Sequence, residues 1–333
     1  MAEFFLIFIT ALLFSIVATP VARRLALATG IVDAPSLRKL HTEPTPLLGG
    51  AAIYAAFVVA LLLFGGRAEI RQMVAIVLGA TGVSLMGVID DARGVRPALK
   101  FLGQFAAAAV AVLSGLQVHL FPIEALNIAL SLLWFVGITN AMNLLDNMDG
   151  LSGGLAAAAA AHFLLLAALN GQYLVGTLSA ALLGACIGFL RYNFNPASIF
   201  MGDTGSLFLG FVLAAVGIKL RFENTFVVTW MVPLVVLLVP ILDTTLVVVS
   251  RLRRGKNPFT TPGKDHISHR LVALGFTRRE AVLICWLLGT STGMVAVFLT
   301  EAPVRGAYLV AAILAAVGAY TIWWLEQRTH VEG

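Results

Sequence analysis

The chain has 333 residues, 59% of them hydrophobic and only 12% charged, with a mean hydropathy of +0.94 and a net charge of +5. A water-soluble body of this size could not cover itself with so little charge, so the composition indicates an integral membrane protein. The same composition leaves no soluble basic domain, so the pI near 9.5 does not indicate nucleic-acid binding. Eleven apolar runs follow in chain order, at 4–22, 48–64, 73–89, 98–116, 125–142, 151–169, 174–190, 206–220, 226–250, 281–300 and 306–325. A helix needs about 20 such residues to cross a hydrocarbon core of roughly 30 Å. The runs are continuously apolar rather than alternating, which favours helices over a barrel. The expected fold is therefore an all-α polytopic integral membrane protein with about 11 transmembrane helices.

Lys and Arg set the expected direction. With the N-terminus outside and the C-terminus cytoplasmic, 17 of the 22 basic residues fall on the inner side. Arg67, Arg71, Lys219, Arg221 and Arg305 fall outside. The first run has no basic segment before it and no small-residue cleavage site after it, so it reads as a retained span. The same threading puts Asp33, Asp90, Asp91, Asp146, Asp149, Asp203 and Asp265 on the cytoplasmic side, with Asp243 inside a run. Glu69, Glu124, Glu223 and Glu301 fall on the opposite side. Solvation alone would not separate Asp from Glu. Cys186 and Cys285 lie mid-span and read as packing residues. The chain reads as one membrane-embedded domain over 1–333, with long inner loops at 23–47, 191–205 and 251–280.

Four groups carry chemistry. Asp90 and Asp91 close the third run, where two negative charges oppose the helix dipole unless a cation answers them. Asn143, Asp146 and Asp149 step by three residues and, if helical, share about a third of the circumference. The loop Asn193-Phe-Asn-Pro-Ala-Ser-Ile-Phe-Met-Gly-Asp-Thr-Gly-Ser206 opens the eighth run. There Asp203 suits a metal, and backbone N–H groups at the helix start suit an anion. The last group runs from Asp243 through Arg251, Arg253, Arg254 and Lys256 to Asp265, His266, His269 and Arg270, and its cations suit a diphosphate. Asp243 lies ~12 Å into the bilayer at 1.5 Å per residue, where a carboxylate is functional or paired. Pro233 and Pro240 should bend its span. Gly184 and Gly188 read as a helix-packing pair.

These motifs together resemble the polyprenyl-phosphate N-acetylhexosamine-1-phosphate transferases. The resemblance runs from about Asp33 to Phe276. It includes Arg38-Lys-Leu-His41, Pro46-Leu-Leu-Gly-Gly50, the Asp90–Asp91 pair, Lys100-Phe-Leu-Gly-Gln104 and Asn143-Leu-Leu-Asp146 with Asp149. It continues through Phe200-Met-Gly-Asp-Thr-Gly-Ser206, Asp243-Thr-Thr and His266-Ile-Ser-His-Arg270. Ser268 stands where many members carry a histidine. The resemblance implies Mg²⁺ (or Mn²⁺)-dependent transfer of a sugar-1-phosphate from a UDP-sugar to a polyprenyl phosphate, on the cytoplasmic face of the cell inner membrane. Arg38–His41 and the last loop look like the branch that uses UDP-GlcNAc and undecaprenyl phosphate. UDP-GalNAc and phospho-MurNAc-pentapeptide are the alternative donors.

By the same resemblance Asp203 and Asn143, with Asp90, would hold the metal. Asp90, Asp91, Asp146 and His266 would be catalytic. Asp149 and Phe200 would recognise uracil, and Asn195 would contact substrate. Lys39, His41, Lys100, His266, His269 and Arg270 would contact phosphate, Arg38 would contact substrate, and the 251–280 loop would complete the site. The resemblance is compatible with a homodimer. A secondary transporter is the rival from another class, but it would tend to place its carboxylates near mid-bilayer in broken helices.

Overall fold

The computed structural model describes residues 2–33, 44–66, 69–258, 261 and 263–329, which form two compact units, Met1–Arg221 and Phe222–Gly333. The first unit opens with α1 (Ala2–Thr29) and two short antiparallel strands, β1 (Val32–Asp33) and β2 (Thr45–Pro46), in which Val32 faces Pro46. Seven helices follow: α2 (Gly49–Phe64), α3 (Ile70–Arg93), α4 (Pro97–Leu113), α5 (Glu124–Leu145), α6 (Leu151–Leu169), α7 (Tyr173–Asn193) and α8 (Gly202–Lys219). The second unit holds α9 (Phe226–Val236), α10 (Leu238–Arg253), α11 (Ile267–Ala273), α12 (Arg278–Leu299) and α13 (Val304–Arg328).

The protein is an all-helical, polytopic membrane protein. Among the described residues eight helices are long and apolar enough to cross a bilayer, and the α9–α10 pair makes a ninth if it is one broken span. Ten of the eleven apolar runs each fall on one helix, and the run 226–250 is divided between α9 and α10. However, α2 and α4, at 16 and 17 residues, are shorter than a full crossing requires.

In the first unit α8 is the axis. Every residue from Thr204 to Ile218 is buried, and α2, α3, α5 and α6 pack around it. Small residues permit that approach. A Cβ on Gly50 would sit 2.1 Å from the Gly205 nitrogen, and one on Gly87 2.4 Å from the Thr204 Cα. The Gly184–Gly188 pair does the same for α7 against α1, where added Cβ atoms would meet the Phe8 and Leu12 carbonyls. That is the packing role expected from the sequence.

The α9–α10 pair bends by 73°. Pro240 has no N–H to offer the Val236 carbonyl one turn earlier, so the helix breaks at Leu237, as the prolines predict. The break puts Asp243 near the start of a new helix rather than in the middle of a continuous one.

Candidate active site

Asp90 and Asp91 occupy the last turn of α3. Adjacent helical residues diverge by about 100°, so the two carboxylates face different partners. Asp90 accepts a hydrogen bond from the Val95 nitrogen at 2.6 Å and pairs with the Lys100 ammonium at 2.9 Å. Lys100, in the first turn of α4, also pairs with Asp203. One ammonium thus joins carboxylates from α3 and α8. Asn143, near the end of α5, donates from Nδ2 to Asp203 at 2.7 Å and to the Ser206 hydroxyl at 2.8 Å.

Asp91 points the other way, onto the start of α8. It accepts from the Asp203 nitrogen at 2.9 Å, the Thr204 nitrogen at 3.1 Å and the Thr204 hydroxyl at 2.7 Å. The sequence suggests an anion at this helix start, and Asp91 of the same chain supplies one. Its charge satisfies open N–H groups and complements the dipole there. Gly202 is required beside it, because its φ is +66° and a Cβ would lie 2.4 Å from the Asp91 Oδ2.

The three-residue stepping of Asn143, Asp146 and Asp149 is not realised on one helix. α5 ends at Leu145, Asp146 is its C-cap, and a turn with Gly150 at φ +79° separates Asp149 from α6. Asp146 makes no side-chain hydrogen bond or ion pair among the described residues. Burial, reinforced by the negative charge of Asp203, Asp91 and Asp149, pushes its pKa well above the usual carboxylate range. Asp149 Oδ2 accepts from Asn195 Nδ2 at 2.9 Å and from the Ala197 nitrogen at 3.0 Å, tying down the 194–200 loop. Asn193 assists by accepting from the Gly150 nitrogen and donating to the Ile199 carbonyl. Phe200 is pinned through its backbone, donating to the Pro46 carbonyl and accepting from the Gly49 nitrogen.

The second unit holds its own polar cluster. Asp243, fully buried, pairs with His266 Nδ1 at 2.7 Å and accepts from the Ile267 nitrogen at 2.7 Å. Asp265 is buried between Arg251 and Arg254. His269 is half-buried, and its ring centroid is 6.1 Å from that of His266. Burial, then the neighbouring His266 and Lys264, lowers its pKa to about 4.

Arg270 is placed differently from the phosphate contact expected of it. It is 1% exposed, and its nitrogens donate to the Asp265 and Leu325 carbonyls, the Thr329 and Ser250 hydroxyls and Glu326. A guanidinium has five N–H donors, and all are engaged in fastening α11 to α10 and the end of α13. Arg38, Lys39 and His41 lie outside the described residues.

Comparison with known proteins gives a consistent picture. Residues 73–221 match the family model described as glycosyl transferase family 4. A probable undecaprenyl-phosphate N-acetylglucosaminyl 1-phosphate transferase of Bacillus subtilis (strain 168) is 37% identical over 306 residues, covering 89% of this chain and 85% of the relative. The chain belongs to the polyprenyl-phosphate N-acetylhexosamine-1-phosphate transferases. A decaprenyl-phosphate N-acetylglucosaminephosphotransferase of Mycolicibacterium smegmatis is 34% identical, covering 86% of the chain and 79% of the relative. A phospho-N-acetylmuramoyl-pentapeptide-transferase of Bacillus cytotoxicus is 31% identical, covering 84% and 91%.

For a phosphotransferase of this family the donor set of the first unit fits a hard divalent cation. Among the described residues no group of three His, Cys, Asp or Glu side chains forms a ready-made metal cage. What is present is two carboxylates, Asp90 and Asp203, drawn together by the Lys100 ammonium, with the Asn143 amide beside them. An ammonium held between carboxylates marks a position of strongly negative potential, and Asp and Asn oxygens are the ligand type Mg²⁺ takes.

A further polar pair lies beside these residues. Gln104 and Asn140 hydrogen-bond to each other across α4 and α5, one turn from Lys100 and from Asn143 respectively. The signal is the spacing Lys100-x-x-x-Gln104 and Asn140-x-x-Asn143, which puts each pair on one helix face.

Proposed function

We propose that the protein transfers GlcNAc-1-phosphate from UDP-GlcNAc to undecaprenyl phosphate, with Mg²⁺, releasing UMP. An oxygen of the lipid phosphate attacks the sugar-bearing phosphorus of the donor. The bond between that phosphorus and the bridging oxygen breaks, and the bridging oxygen leaves with UMP. The observation that carries this reading is the cluster in which Asp90 and Asp203, from different helices, share the Lys100 ammonium beside Asn143.

The barrier is largely electrostatic. Donor diphosphate and acceptor phosphate each carry about −2 near neutral pH. At ~5 Å and an effective dielectric constant of ~20 their repulsion amounts to about 13 kcal/mol. Bound Mg²⁺ would neutralise phosphate charge and polarise the phosphorus centre. Asp203, Asp90 and the Asn143 side chain would hold it, and Lys100, which pairs with both carboxylates, would meet phosphate oxygens. Asp146, whose pKa burial and the neighbouring carboxylates raise, would exchange a proton within the carboxylate group. By the resemblance, Asp149, whose Oδ2 holds the loop, and Phe200 would recognise the uracil. By the family resemblance, His266 and His269 of the 251–280 segment would supply further contacts.

The lipid phosphate is already mostly ionised, so direct attack needs no phospho-aspartyl intermediate. Asp91 is poorly suited to that role, since both its oxygens are engaged at the start of α8. Enzyme freed of lipid should therefore give no exchange of labelled UMP into UDP-GlcNAc. Brisk exchange that disappears in Asp90→Asn would establish a covalent step.

The proposed topology has eleven crossings, with α2 and α4 among them, the N-terminus outside and the active site facing the cytoplasm of the inner membrane. The 17-to-5 division of basic residues supports it. Cysteine labelling of intact cells should modify position 301 and spare position 203.

The phospho-MurNAc-pentapeptide donor is the second reading, supported by the 31% identical relative. A transporter finds less support. The acidic residue next to the broken helix, Asp243, is fully engaged by His266 and Ile267. Purified protein supplied with undecaprenyl phosphate, Mg²⁺ and each of UDP-GlcNAc, UDP-GalNAc and UDP-MurNAc-pentapeptide decides among these. The expected result is UMP release and lipid product with UDP-GlcNAc, abolished by EDTA. Turnover with UDP-MurNAc-pentapeptide alone would overturn the assignment.

A further inference from the structure

Asp243 has no part in the reaction as derived above, yet it is fully buried, at 0% exposure. An uncompensated charge in an apolar helix is expensive, so its contacts should be specific. They are. Oδ1 accepts from the Ile267 nitrogen at 2.7 Å, fixing the start of α11, and Oδ2 takes His266 Nδ1 at 2.7 Å. His266 is the N-cap of α11, 23 residues further along the chain, and it is buried, at 5% exposure.

A carboxylate can only accept, so the Nδ1 proton is on the histidine. Its other nitrogen, Nε2, makes no hydrogen bond among the described residues. Asp243 thus determines both which way the ring faces and which nitrogen remains for chemistry. A neutral ring then presents a bare Nε2 that accepts a proton. A protonated ring presents an N–H that donates to an oxyanion, while Nδ1–H stays on Asp243 in both states.

We propose that Asp243 is a positioning residue that acts through His266, holding it in the Nδ1–H tautomer so that Nε2 serves the transferred phosphate group. The proposal rests on the transferase reading, because it is that reaction that gives Nε2 its phosphate partner. Asparagine is the informative replacement. Its oxygen can keep the bond from the Ile267 nitrogen, and its NH₂ can donate to Nδ1. The start of α11 is then retained, but the tautomer is reversed, with the proton on Nε2. Holding the wrong tautomer with the geometry intact is known to be costly in an Asp–His pair.

The test combines two readouts on the full-length protein in detergent. Nitrogen-15 NMR of histidine-labelled protein, with His266 assigned through His266→Gln, should show Nδ1 protonated in the neutral ring of the wild type and Nε2 protonated in Asp243→Asn. In the UMP-release assay Asp243→Asn should lower kcat on the order of 100-fold with KM for UDP-GlcNAc within about twofold. The double variant Asp243→Asn/His266→Gln should be no slower than His266→Gln alone, because a residue that acts only through another has no effect once that other is gone. A wild-type ring with the proton on Nε2, or losses that multiply in the double variant, would overturn the proposal. The wild-type spectrum needs no variant, so it stands even if Asp243→Asn fails to fold. If the wild type turns over no UDP-sugar, the transferase reading fails instead, and the spectrum still reports the pairing.

Discussion

Two helices in different units begin under a carboxylate from another helix. α8 starts beneath Asp91 of α3, and α11 starts beneath Asp243 of α10. In the first unit the capped helix carries an aspartate, Asp203, in its first turn. Asp90 and Asp146 stand nearby, and among the described residues Lys100 is the cation paired with Asp90 and Asp203. In the second unit the cap also holds a histidine, and the surrounding carboxylates are matched by arginines: Asp265 by Arg251 and Arg254, Glu326 by Arg253 and Arg270. The same capping device therefore holds an electrostatically unfinished site in one unit and a largely completed network in the other. An unfinished site invites a cation and a substrate, whereas a completed one gives stiffness.

The contrast breaks most visibly at Arg270. Replacing it by alanine should destabilise the second unit by about 3–5 kcal/mol, the range for removing one partner of a buried pair. Thermal unfolding in detergent and hydrogen exchange along α11 and α13 would show this. A folded Arg270→Ala protein with only a raised KM would return the residue to the phosphate-binding role.

Asp203 should behave in the opposite way. Asp203→Asn should cut turnover at least ~100-fold, about 2.7 kcal/mol, in a protein that stays folded. Near-normal UMP release would remove Asp203 from the metal.

Asp91 should fall between the two. Asp91→Ala leaves the Asp203 and Thr204 donors without their partner and should cost about 1–3 kcal/mol of stability as well as turnover. Gly202→Ala separates geometry from charge, because its Cβ would intrude on Asp91 without altering any charge. A similar loss in both variants indicates that Asp91 acts by positioning Asp203.

The smallest effects are pH slopes of opposite sign. The folded-state pKa of Asp146 is raised, so its contribution to stability is present at low pH and is lost as pH rises from 3.8 through the folded-state value. Asp146→Asn should thus raise the melting temperature of EDTA-treated protein at neutral pH, with the gain shrinking toward pH 4. Mg²⁺ should stabilise the wild type more than the variant. For His269 the folded-state value is lowered from 6.5 to about 4, so stability is full above 6.5 and falls as pH drops through that window. His269→Gln should flatten the acid limb of the melting curve. Unchanged slopes in either variant would count against the burial described for that group.

Much of this was legible in the chain. The apolar runs locate every long helix, the prolines foretell the break at Leu237, and the Gly184–Gly188 pair foretells a helix contact. The motifs single out Asp90, Asn143 and Asp203 as candidate metal ligands and Lys100 as a candidate phosphate contact, and the fold brings the four side chains together. Other expectations depended on facts that lie far apart in sequence. The stepping of Asn143, Asp146 and Asp149 presumed a helix that ends at Leu145. Arg270 reads as a phosphate contact until Glu326, Ser250 and Thr329 are seen around it.

The sequence by itself determined the class of the protein, its family and the residues that could do chemistry, because apolar content, span length and motif order are properties of the chain read in line. Only the tertiary structure decided which of those residues remain available. Asp90 and Asp91 are chemically identical neighbours, yet the 100° turn of α3 directs one to Lys100 and the other to the start of α8. A carboxyl group's capacity to carry charge is set by its own atoms. Whether that charge is already answered depends on which helix starts and cations packing brings beside it.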